Sequence, residues 1–359
     1  MSKYKIAVLP GDGIGTEVMS VCIDMLDHIV SDTNELTLDY VHSHAGANFY
    51  QKTGNALPAA TVETARDADA ILLGAMGLPD VRYPDGTEIA SQLDLRFELE
   101  LYAGVRPVRC LPNLPLPLRN ADDKPIDFVL IRESTEGLFA AYGKGEQIED
   151  REARDAMVIT RKVSEKIFQF GFNLTQRRKR QGHAGHLSCI DRANVFNSMA
   201  FFRKIFNECA CQYPDIETDC SYVDATALNL VKQPWNFDVL VTENMSGDIL
   251  SDLGAGLMGG MGMAPSADIG DEHAIFQPCH GTAPDIVGKG KANPTAMILS
   301  AAMMMEWLHE KHDDQACLDV AKTLRHAIDN AYNSGELIPY EMGGTAGTQE
   351  IINAIKTTL

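Results

Sequence analysis

Short apolar runs alternate with longer amphipathic segments along this chain of 359 residues. The run YKIAVLP near the N-terminus is followed by apolar residues at helical spacing from Val18 to Ile29, and then by LTLDYV and ADAILLGA. Short runs rich in β-branched residues predict buried strands, and the helical period between them predicts helices. Strands that alternate with helices indicate an α/β fold with parallel strands and crossover helices.

The same pattern continues to the C-terminus. Further buried strands are predicted at DFVLIRE, HLSCID, CSYVDA, DVLVTE and AIFQP, and helices near 194–208, 294–310 and 315–333. The proline-rich stretch 106–120, RPVRCLPNLPLPLRN, predicts a break in regular structure where the chain crosses between two lobes. The glycine- and methionine-rich stretch after residue 254 is a candidate for the return crossing. One lobe would then contain both chain ends.

Composition and charge exclude several classes of function. Fifty acidic against 31 basic residues give a formal net charge of −19, which repels a phosphate backbone and argues against general nucleic-acid binding. The eight cysteines form no C-x-x-C pair, so they predict small core residues in a reducing compartment rather than a zinc site or a disulfide framework. No apolar run reaches the roughly 18 residues of a membrane span, so we expect a cytoplasmic protein without a membrane partner.

The segment LPGDGIGTE follows the first predicted strand and opens the first predicted helix. That is the position of a Rossmann dinucleotide fingerprint, but Thr16 stands where the last glycine of G-x-G-x-x-G is required. Two interpretations stay open. Gly11, Gly13 and Gly15 either let the backbone pass close to another group or form a structural turn only.

Two carboxylates, Asp248 and Asp252, are spaced by one helical turn in the segment ENMSGDILSDLGAGLMGG. On a helix their β-carbons would lie about 6 Å apart on one face, where like charges repel. Mg²⁺ or Mn²⁺ would relieve the repulsion, because both ions take carboxylate oxygens as ligands. The alternative is a solvated helix face without a ligand.

Three arginines, Arg96, Arg106 and Arg132, lie in or beside apolar elements. A planar guanidinium binds a carboxylate through two parallel hydrogen bonds, so these residues are candidates for binding an anionic substrate. Arg132 ends a strongly apolar predicted strand, where parallel-sheet proteins place ligand groups. Structural ion pairs with nearby acidic residues are the alternative for each of them.

Together these segments resemble the isocitrate/3-isopropylmalate dehydrogenase family, the metal-dependent β-decarboxylating hydroxyacid dehydrogenases that include tartrate and D-malate dehydrogenases. The likeness covers essentially the whole chain in the right order. The segments that carry it are LPGDGIGTEV, RPVR, IRESTEG, DRANV, YVDATAL, TENMSGDILSDL and HGTAPDIVGKGKANPTAMILSAAMM.

The resemblance implies an isopropylmalate dehydrogenase-like fold with two interleaved α/β/α domains and a non-Rossmann dinucleotide site. The cofactor-binding domain would comprise residues 1–104 and 258–359, and residues 105–257 would form the domain for substrate, metal and dimerisation. It also implies a homodimer whose two subunits share each active site.

By motif position, the resemblance assigns the three arginines to the substrate carboxylates. Asp248 and Asp252 would hold Mg²⁺ or Mn²⁺, joined by Asp224 of the second subunit. NAD would be bound at Ile14 and Asn194 near the nicotinamide, at Asp285 near the ribose, and at His280, Gly281 and Asn293 near the adenine. An aspartate beside the ribose should repel a 2′-phosphate, so NAD⁺ is expected over NADP⁺.

The chain departs from the family pattern at two positions. Arg192 replaces the lysine that commonly acts as the base, and Phe139 stands where a tyrosine is usual. Arginine does not readily release a proton near neutral pH, and phenylalanine has none to donate. Tyr142, or a water activated beside Asp224, is a candidate replacement.

A further difference concerns the substrate. Isopropylmalate-specific members tend to have leucine four positions before the first substrate arginine, and this chain has Gln92. A buried polar side chain requires a hydrogen-bonding partner. Gln92 therefore favours a compact or polar-substituted malate such as tartrate or D-malate, and isocitrate is still open. The predicted activity is NAD-dependent oxidation of a (2R)-hydroxy dicarboxylic acid, with decarboxylation as its expected outcome. The alternative is a catalytically weakened homologue that acts as a ligand-binding or regulatory subunit.

Overall fold

A computed structural model describes residues 1–33, 35–111, 113–118 and 124–359 of the chain. These residues form two compact units. The first unit comprises Met1–Glu100, Leu111–Pro117 and Met258–Leu359, and the second comprises Leu101–Cys110 and Leu118–Leu257. Both chain ends lie in the first unit.

The first unit is built on five strands in the order β2-β1-β3-β12-β11. They pair in parallel except for β11, which is antiparallel to β12. Their bounds are β1 Ser2–Gly11, β2 Leu36–His42, β3 Ala70–Ala75, β11 Pro265–Ile269 and β12 Ala274–Pro278. The helices of this unit are α1 Gly15–Thr33, α2 Ala47–Thr53, α3 Ala59–Arg66, α4 Ser91–Glu98, α9 Thr295–His312, α10 Gln315–Tyr332 and α11 Thr348–Thr357.

The second unit has five strands in the order β4-β5-β10-β8-β9, with β4 antiparallel to β5 and the others parallel. Two short strands, β6 and β7, form a separate exposed antiparallel pair. The strands are β4 Ala103–Arg109, β5 Asp127–Glu133, β6 Glu146–Ile148, β7 Glu152–Arg154, β8 His186–Asp191, β9 Glu217–Tyr222 and β10 Val239–Thr242. The helices are α5 Arg161–Arg180, α6 Asn197–Ala210, α7 Val223–Lys232 and α8 Asn244–Leu257.

The predicted α/β architecture is confirmed, because parallel strands alternate with helices in both units. Strands that are apolar on both faces coincide with their predicted runs, as in β3, whose residues are all buried. The run CSYVDA is only partly a strand, since β9 ends at Tyr222 and Val223 already begins α7. These residues can adopt either structure, and contacts with the neighbouring elements decide which one forms.

The expectation that the proline-rich stretch 106–120 lacks regular structure is wrong for its first residues. Residues 106–109 belong to β4, and Pro107 lies opposite Val129 in the antiparallel ladder with β5. Proline is compatible with extended backbone and loses only its own N–H donor. Residues 113–118 form neither helix nor strand, while 112 and 119–120 lie outside the described residues.

The predicted domain boundary between residues 104 and 105 falls inside β4, which belongs as a whole to the second unit. Four of the eight cysteines are buried as expected, but Cys211 is exposed and three others are half-buried. Cys211 directly follows α6, where the chain turns at the surface and leaves the core. None of the described helices is long and apolar enough to cross a membrane.

Candidate active site

The glycine turn after β1 lies against the loop that follows β12 in the first unit. Gly11 and Gly13 have positive φ angles of 74° and 56°, which favour glycine. A β-carbon on Gly13 would lie 2.1 Å from the Thr282 carbonyl oxygen, and the Ile14 N–H donates a hydrogen bond to that same oxygen at 2.9 Å. The turn therefore makes a close backbone contact within the first unit, and its approach to a bound cofactor stays a prediction.

Asp12 holds this turn in place, and sequence reasoning did not single it out. Its side chain is fully buried and accepts hydrogen bonds from the N–H groups of Ala47, Asn48 and Gly77, at 2.8, 2.8 and 2.9 Å. Three donors compensate a carboxylate for its loss of water. The only signal in the sequence was an acidic residue between two glycines.

The loop 280–293 contains the residues predicted to contact the adenosine of a dinucleotide. The Nε2 atom of His280 is buried and has no hydrogen-bond partner among the described residues, while its Nδ1 lies 2.9 Å from the Gly281 carbonyl oxygen. Burial lowers the pKa of His280, so its imidazole is neutral at physiological pH. Gly281 and Asp285 are exposed, and Asp285 lies in the turn that follows.

Asn293 is placed differently from its neighbours in this loop. It is buried; its Nδ2 donates to Glu341 Oε1 at 2.7 Å and its Oδ1 accepts from the Thr295 N–H at 3.0 Å. These bonds fix the start of α9, so the side-chain amide of Asn293 is already engaged within the protein. If Asn293 contacts adenine, its backbone atoms would make that contact.

Two predicted substrate residues of the first unit lie on α4. The Arg96 guanidinium is 8% exposed and forms an ion pair at 2.9 Å with Asp268, whose side chain is fully buried on β11. Gln92, one turn before it, has its Oε1 atom buried without a hydrogen-bond partner in the described part of the chain. An unsatisfied buried acceptor costs free energy, so Gln92 is suited to receive a donor from a bound molecule.

Arg132 lies at the centre of a polar cluster in the second unit. It is buried near the end of β5; its Nε donates to Asn244 Oδ1 at 2.8 Å, and its Nη1 pairs with Asp248 on α8. The guanidinium carbon lies 5.0 Å from the ring centroid of Phe139. Gly247 permits this approach, because a β-carbon there would lie 2.7 Å from Cβ of Arg132.

The α8 helix presents its two aspartates to solvent, one turn apart. Its first turn is capped by the buried Glu243, which accepts hydrogen bonds from the N–H groups of Met245 and Ser246 at 2.9 and 2.7 Å. Burial and the charge of Asp248 raise the pKa of Asp252, and the nearby charges of Arg132 and Arg106 oppose that rise. Arg106 is buried on β4, where its Nη1 donates to the Val105 carbonyl at 3.2 Å.

These carboxylates can supply part of a metal site. Asp248 and Asp252 provide the oxygen ligands that Mg²⁺ and Mn²⁺ prefer, and their mutual repulsion is the kind that a divalent ion relieves. Within the described ranges, however, no group of three His, Cys, Asp or Glu side chains could hold a metal ion. The donor set of one chain is thus compatible with the ion but needs a further ligand.

The third predicted metal ligand, Asp224, lies in the first turn of α7 and pairs with Arg192 of the same chain. The Arg192 guanidinium lowers the pKa of Asp224, so this carboxylate stays ionised. Arg192 directly follows β8, whose last residue Asp191 is fully buried and binds the Arg203 guanidinium through both oxygens at 2.7 Å. The Asp191–Arg203 pair is a second feature that sequence reasoning missed.

Two further candidates lie at the surface. Asn194 is exposed in the turn between β8 and α6. Tyr142 is 37% exposed and follows the short 3₁₀ helix Leu138–Ala141 that contains Phe139. The structure thus brings both Phe139 and Asp248 against Arg132, and it places Tyr142 at the surface.

The family model for isocitrate/isopropylmalate dehydrogenase matches residues 5–355. The chain belongs to this family. It is 40% identical to the 3-isopropylmalate/3-methylmalate dehydrogenase of Methanocaldococcus jannaschii over 98% of both chains. It is likewise 40% identical to the homoisocitrate dehydrogenase of that organism over 99% of both. A crystal structure of isocitrate dehydrogenase from Methylococcus capsulatus superimposes with a TM-score of 0.86 at 34% identity, again over 99% of both chains.

Family membership confirms the predicted isopropylmalate dehydrogenase-like fold. It also identifies the chain as an oxidoreductase, and the relatives indicate a decarboxylating dehydrogenase. Isocitrate and isopropylmalate are hydroxyacids. The paired carboxylates of α8 and the buried arginine of β5 therefore belong to a member of a family of hydroxyacid dehydrogenases.

Proposed function

We propose that this protein oxidises a (2R)-hydroxy dicarboxylic acid of the malate, tartrate or isopropylmalate type with NAD⁺, assisted by Mg²⁺ or Mn²⁺, and decarboxylates it. The observation that carries the proposal is the contact between the buried Arg132 and Asp248. A guanidinium removed from water beside exposed carboxylates can bind a substrate carboxylate next to a site for a divalent cation.

The arginines bind the two substrate carboxylates. Arg132 and Arg106 are buried on neighbouring strands and both act electrostatically on Asp252. Arg96 is oriented by its ion pair with Asp268. A buried, oriented guanidinium loses little freedom when it binds an anion, so these residues favour a dicarboxylate over a neutral alcohol.

Asp248 and Asp252 hold the metal, and Asp224 of a second copy completes its ligand set. The ion, when bound, supplies electrostatic stabilisation for negative charge that develops on the substrate oxygens. Within the chain, the buried Arg132 pairs with the half-exposed Asp248 and so orients its carboxylate.

NAD⁺ is held by the paired loops of the first unit, and supplies the hydride acceptor. The Ile14–Thr282 contact fixes the glycine turn, and the unpartnered Nε2 of the neutral His280 can bond to a base. Asp285 is exposed and can accept hydrogen bonds from ribose hydroxyls while it repels a 2′-phosphate. Lys291, a nearby cation, lies 4.8 Å from the ring centroid of Tyr340 and is already engaged there.

Proton transfer has to proceed without the family lysine. Arg192 stays protonated and binds Asp224, so it acts as a fixed cation. The ionised Asp224 can accept the hydroxyl proton through a water molecule, and the Tyr142 hydroxyl can donate a proton later in the reaction. Phe139 has no exchangeable proton; it packs against Arg132.

The substrate class follows from Gln92. Its buried, unpartnered Oε1 favours a C3 substituent that donates a hydrogen bond, such as the hydroxyl of tartrate. We therefore place tartrate first, followed by D-malate, which has no apolar C3 substituent, and both ahead of 3-isopropylmalate, with isocitrate as a further candidate. Replacing Gln92 with Leu should shift the kcat/KM ratio toward 3-isopropylmalate, and an unchanged ratio would contradict this assignment.

The proposed second copy docks on the second unit. Large apolar side chains are exposed on two helices that contact each other, Leu228 and Val231 on α7 and Met245 and Ile249 on α8, with 43–62% of their surface exposed. An apolar patch of this kind on adjacent helices is typical of a subunit interface. Asp224 and Asp248 lie on the same two helices, so a homodimer would bring acidic residues of two chains together.

The deciding experiment measures NADH formation with a panel of malate, tartrate, isopropylmalate and isocitrate stereoisomers in the presence of Mn²⁺. Turnover of one (2R)-hydroxy diacid that disappears with a chelator supports the proposal. If neither the native protein nor the Arg192→Lys variant forms NADH with any of these acids, the proposed dehydrogenase activity is wrong.

A catalytically weakened, ligand-binding homologue is the second candidate. It is favoured by Arg192, which cannot act as a titratable base. It is also favoured by the Arg192–Asp224 ion pair, which engages a predicted metal ligand. The two candidates differ in one measurement. A weakened homologue binds a hydroxy diacid in calorimetry and gains substantial turnover only when Arg192 is changed to Lys.

A further inference from the structure

Two cysteines face each other across the outer strands of the second unit. Cys189 on β8 and Cys220 on β9 are partners in the parallel register. Neighbouring strands are about 4.8 Å apart, and a disulfide requires α-carbons about 4.4 to 6.8 Å apart. Backbone spacing therefore permits a bond between them.

Both thiols lie on the sheet face covered by α6. The Cys189 Sγ lies 3.9 Å from Asp191 Oδ2, and Asp191 is bound by Arg203 of α6. The Cys220 thiol donates to Asn207 Oδ1, also on α6, at 3.8 Å. Because the two side chains share this face and this register position, their sulfur atoms are neighbours.

The two thiols differ in access and in acidity. Cys189 is fully buried, whereas Cys220 lies on the edge strand and is half-buried. The hydrogen bond from Cys189 and the charge of Arg203 lower the pKa of Cys220, while burial raises that of Cys189. A thiolate is the reactive form of cysteine, so the accessible member of the pair is also the more nucleophilic one.

We propose that Cys189 and Cys220 are a site of reversible oxidation that forms an intrachain disulfide when the protein meets a hydroperoxide. The Cys220 thiolate attacks the peroxide, the O–O bond breaks, and Cys220 becomes a sulfenic acid while the peroxide is reduced to water or an alcohol. The Cys189 sulfur then attacks the sulfenic sulfur, its proton leaves with the departing hydroxide as water, and the S–S bond forms. This inference is independent of the proposed substrate.

The bond would join the two strands that precede the residues of the Arg192–Asp224 ion pair. Arg192 directly follows β8, and Asp224 lies in the first turn of the helix that follows β9. A covalent link between these strands restricts the local separation of the edge strand β9 from β8. Oxidation thus stabilises the segment that positions both residues.

The test treats the full-length protein with hydrogen peroxide and maps disulfides by mass spectrometry of peptides digested without reductant. The expected product is a peptide pair linked through Cys189 and Cys220, lost on addition of dithiothreitol and accompanied by a higher midpoint of thermal unfolding. Cys220→Ser and, separately, Cys189→Ala should lose both the link and the increase in midpoint. Cys211→Ser, which removes the exposed cysteine after α6, is the matched control and should keep both.

Other results would overturn the proposal. These are sulfinic acid at Cys220 without a link to Cys189, a link that instead involves Cys211, or an equal rise of the unfolding midpoint in Cys220→Ser. Because the readout is peptide mapping and unfolding, it remains decisive even if none of the tested hydroxy acids is a substrate.

Discussion

The guanidinium of Arg132, at the end of a central strand, pairs with the carboxylate of Asp248 on the helix α8. The arginine side chain is 5% exposed and the aspartate side chain 50% exposed, so the pair connects the interior to the surface. Nothing near Asp248 in the sequence offers it a cation, and the fold supplies one from β5. The pair leaves the outward side of Asp248 open to a second positive charge.

Metal binding should depend on Asp248. Asp248→Asn removes one of two proposed carboxylate ligands and also the carboxylate charge that pairs with Arg132, so Mn²⁺ affinity should fall by at least about tenfold in calorimetry. Asp150→Asn, which changes a charge on an exposed turn, is the matched control and should bind Mn²⁺ as the native protein does. Equal affinities of the two variants would refute the metal assignment.

Turnover should depend on the residue at position 192. Arg192→Lys restores a side chain that can release its proton, and a general base typically contributes about 10²- to 10⁴-fold. We expect kcat to rise by at least about tenfold, with a new ionisation in its pH profile. Arg161→Lys, on the exposed face of α5, serves as the control. A native rate within about tenfold of the lysine variant would contradict this expectation and exclude the weakened homologue, because the proposed water beside Asp224 would then be as effective a base as lysine.

Stability should depend on pH through Glu133, which is buried beside Arg132. Burial raises its pKa from 4.5 to about 7, although hydrogen bonds from Thr135 and Glu136 oppose the rise. Between pH 4.5 and about pH 7, Glu133 is protonated in the native state and ionised in the unfolded chain. The free energy of unfolding therefore falls as pH rises from about 4.5 to about 7. Above that range a constant penalty remains.

Glu133→Gln removes this titration. The difference in free energy of unfolding, variant minus native protein, should therefore be larger at about pH 8 than at about pH 5, by on the order of 2 kcal/mol in favour of a more stable variant. Urea unfolding at both pH values measures the difference. A ΔΔG that does not change with pH would mean that Glu133 does not titrate in this range.

Asp12 should be a major determinant of stability in the first unit. Asp12→Asn replaces one carboxylate oxygen with a donor that faces N–H groups, which should cost about 2–4 kcal/mol. Asp24→Asn, on the exposed side of α1, should change stability by less than about 0.5 kcal/mol. Denaturant titration of both variants checks the expectation, and equal effects would contradict it.

Self-association should depend on the apolar patch of α7 and α8. Ile249→Asp places a charge where 62% of an isoleucine is exposed, and it should convert a homodimer to a monomer in sedimentation velocity. Val287→Asp, a similar change at an exposed position of the first unit, should leave the dimer intact. If the native protein sediments as a monomer, the proposed sharing of Asp224 between copies fails.

Features that depend on neighbours in sequence could be predicted well. The strands β5 and β8 coincide with DFVLIRE and HLSCID, because a strand buried on both faces is a continuous apolar run. The helical spacing of Asp248 and Asp252 was likewise predictable, since an i, i+4 pair on α8 needs no tertiary information. The part of β4 at RPVR was not predicted, because proline usually indicates a break in regular structure. In the folded chain, Pro107 is nevertheless part of the ladder with β5.

The amino-acid sequence by itself determined the α/β architecture, the family and the chemical types of residue available for an acidic substrate, because apolar periodicity and ordered motifs are local properties of a chain. Only the tertiary structure decided which charges meet. It paired Arg96 with Asp268, Arg132 with Asp248 and Arg192 with Asp224, and it left the amide oxygen of Gln92 buried with no partner in the described residues. Such pairings join residues far apart in sequence, and the free energy of each depends on burial and distance, which no pattern along the chain contains.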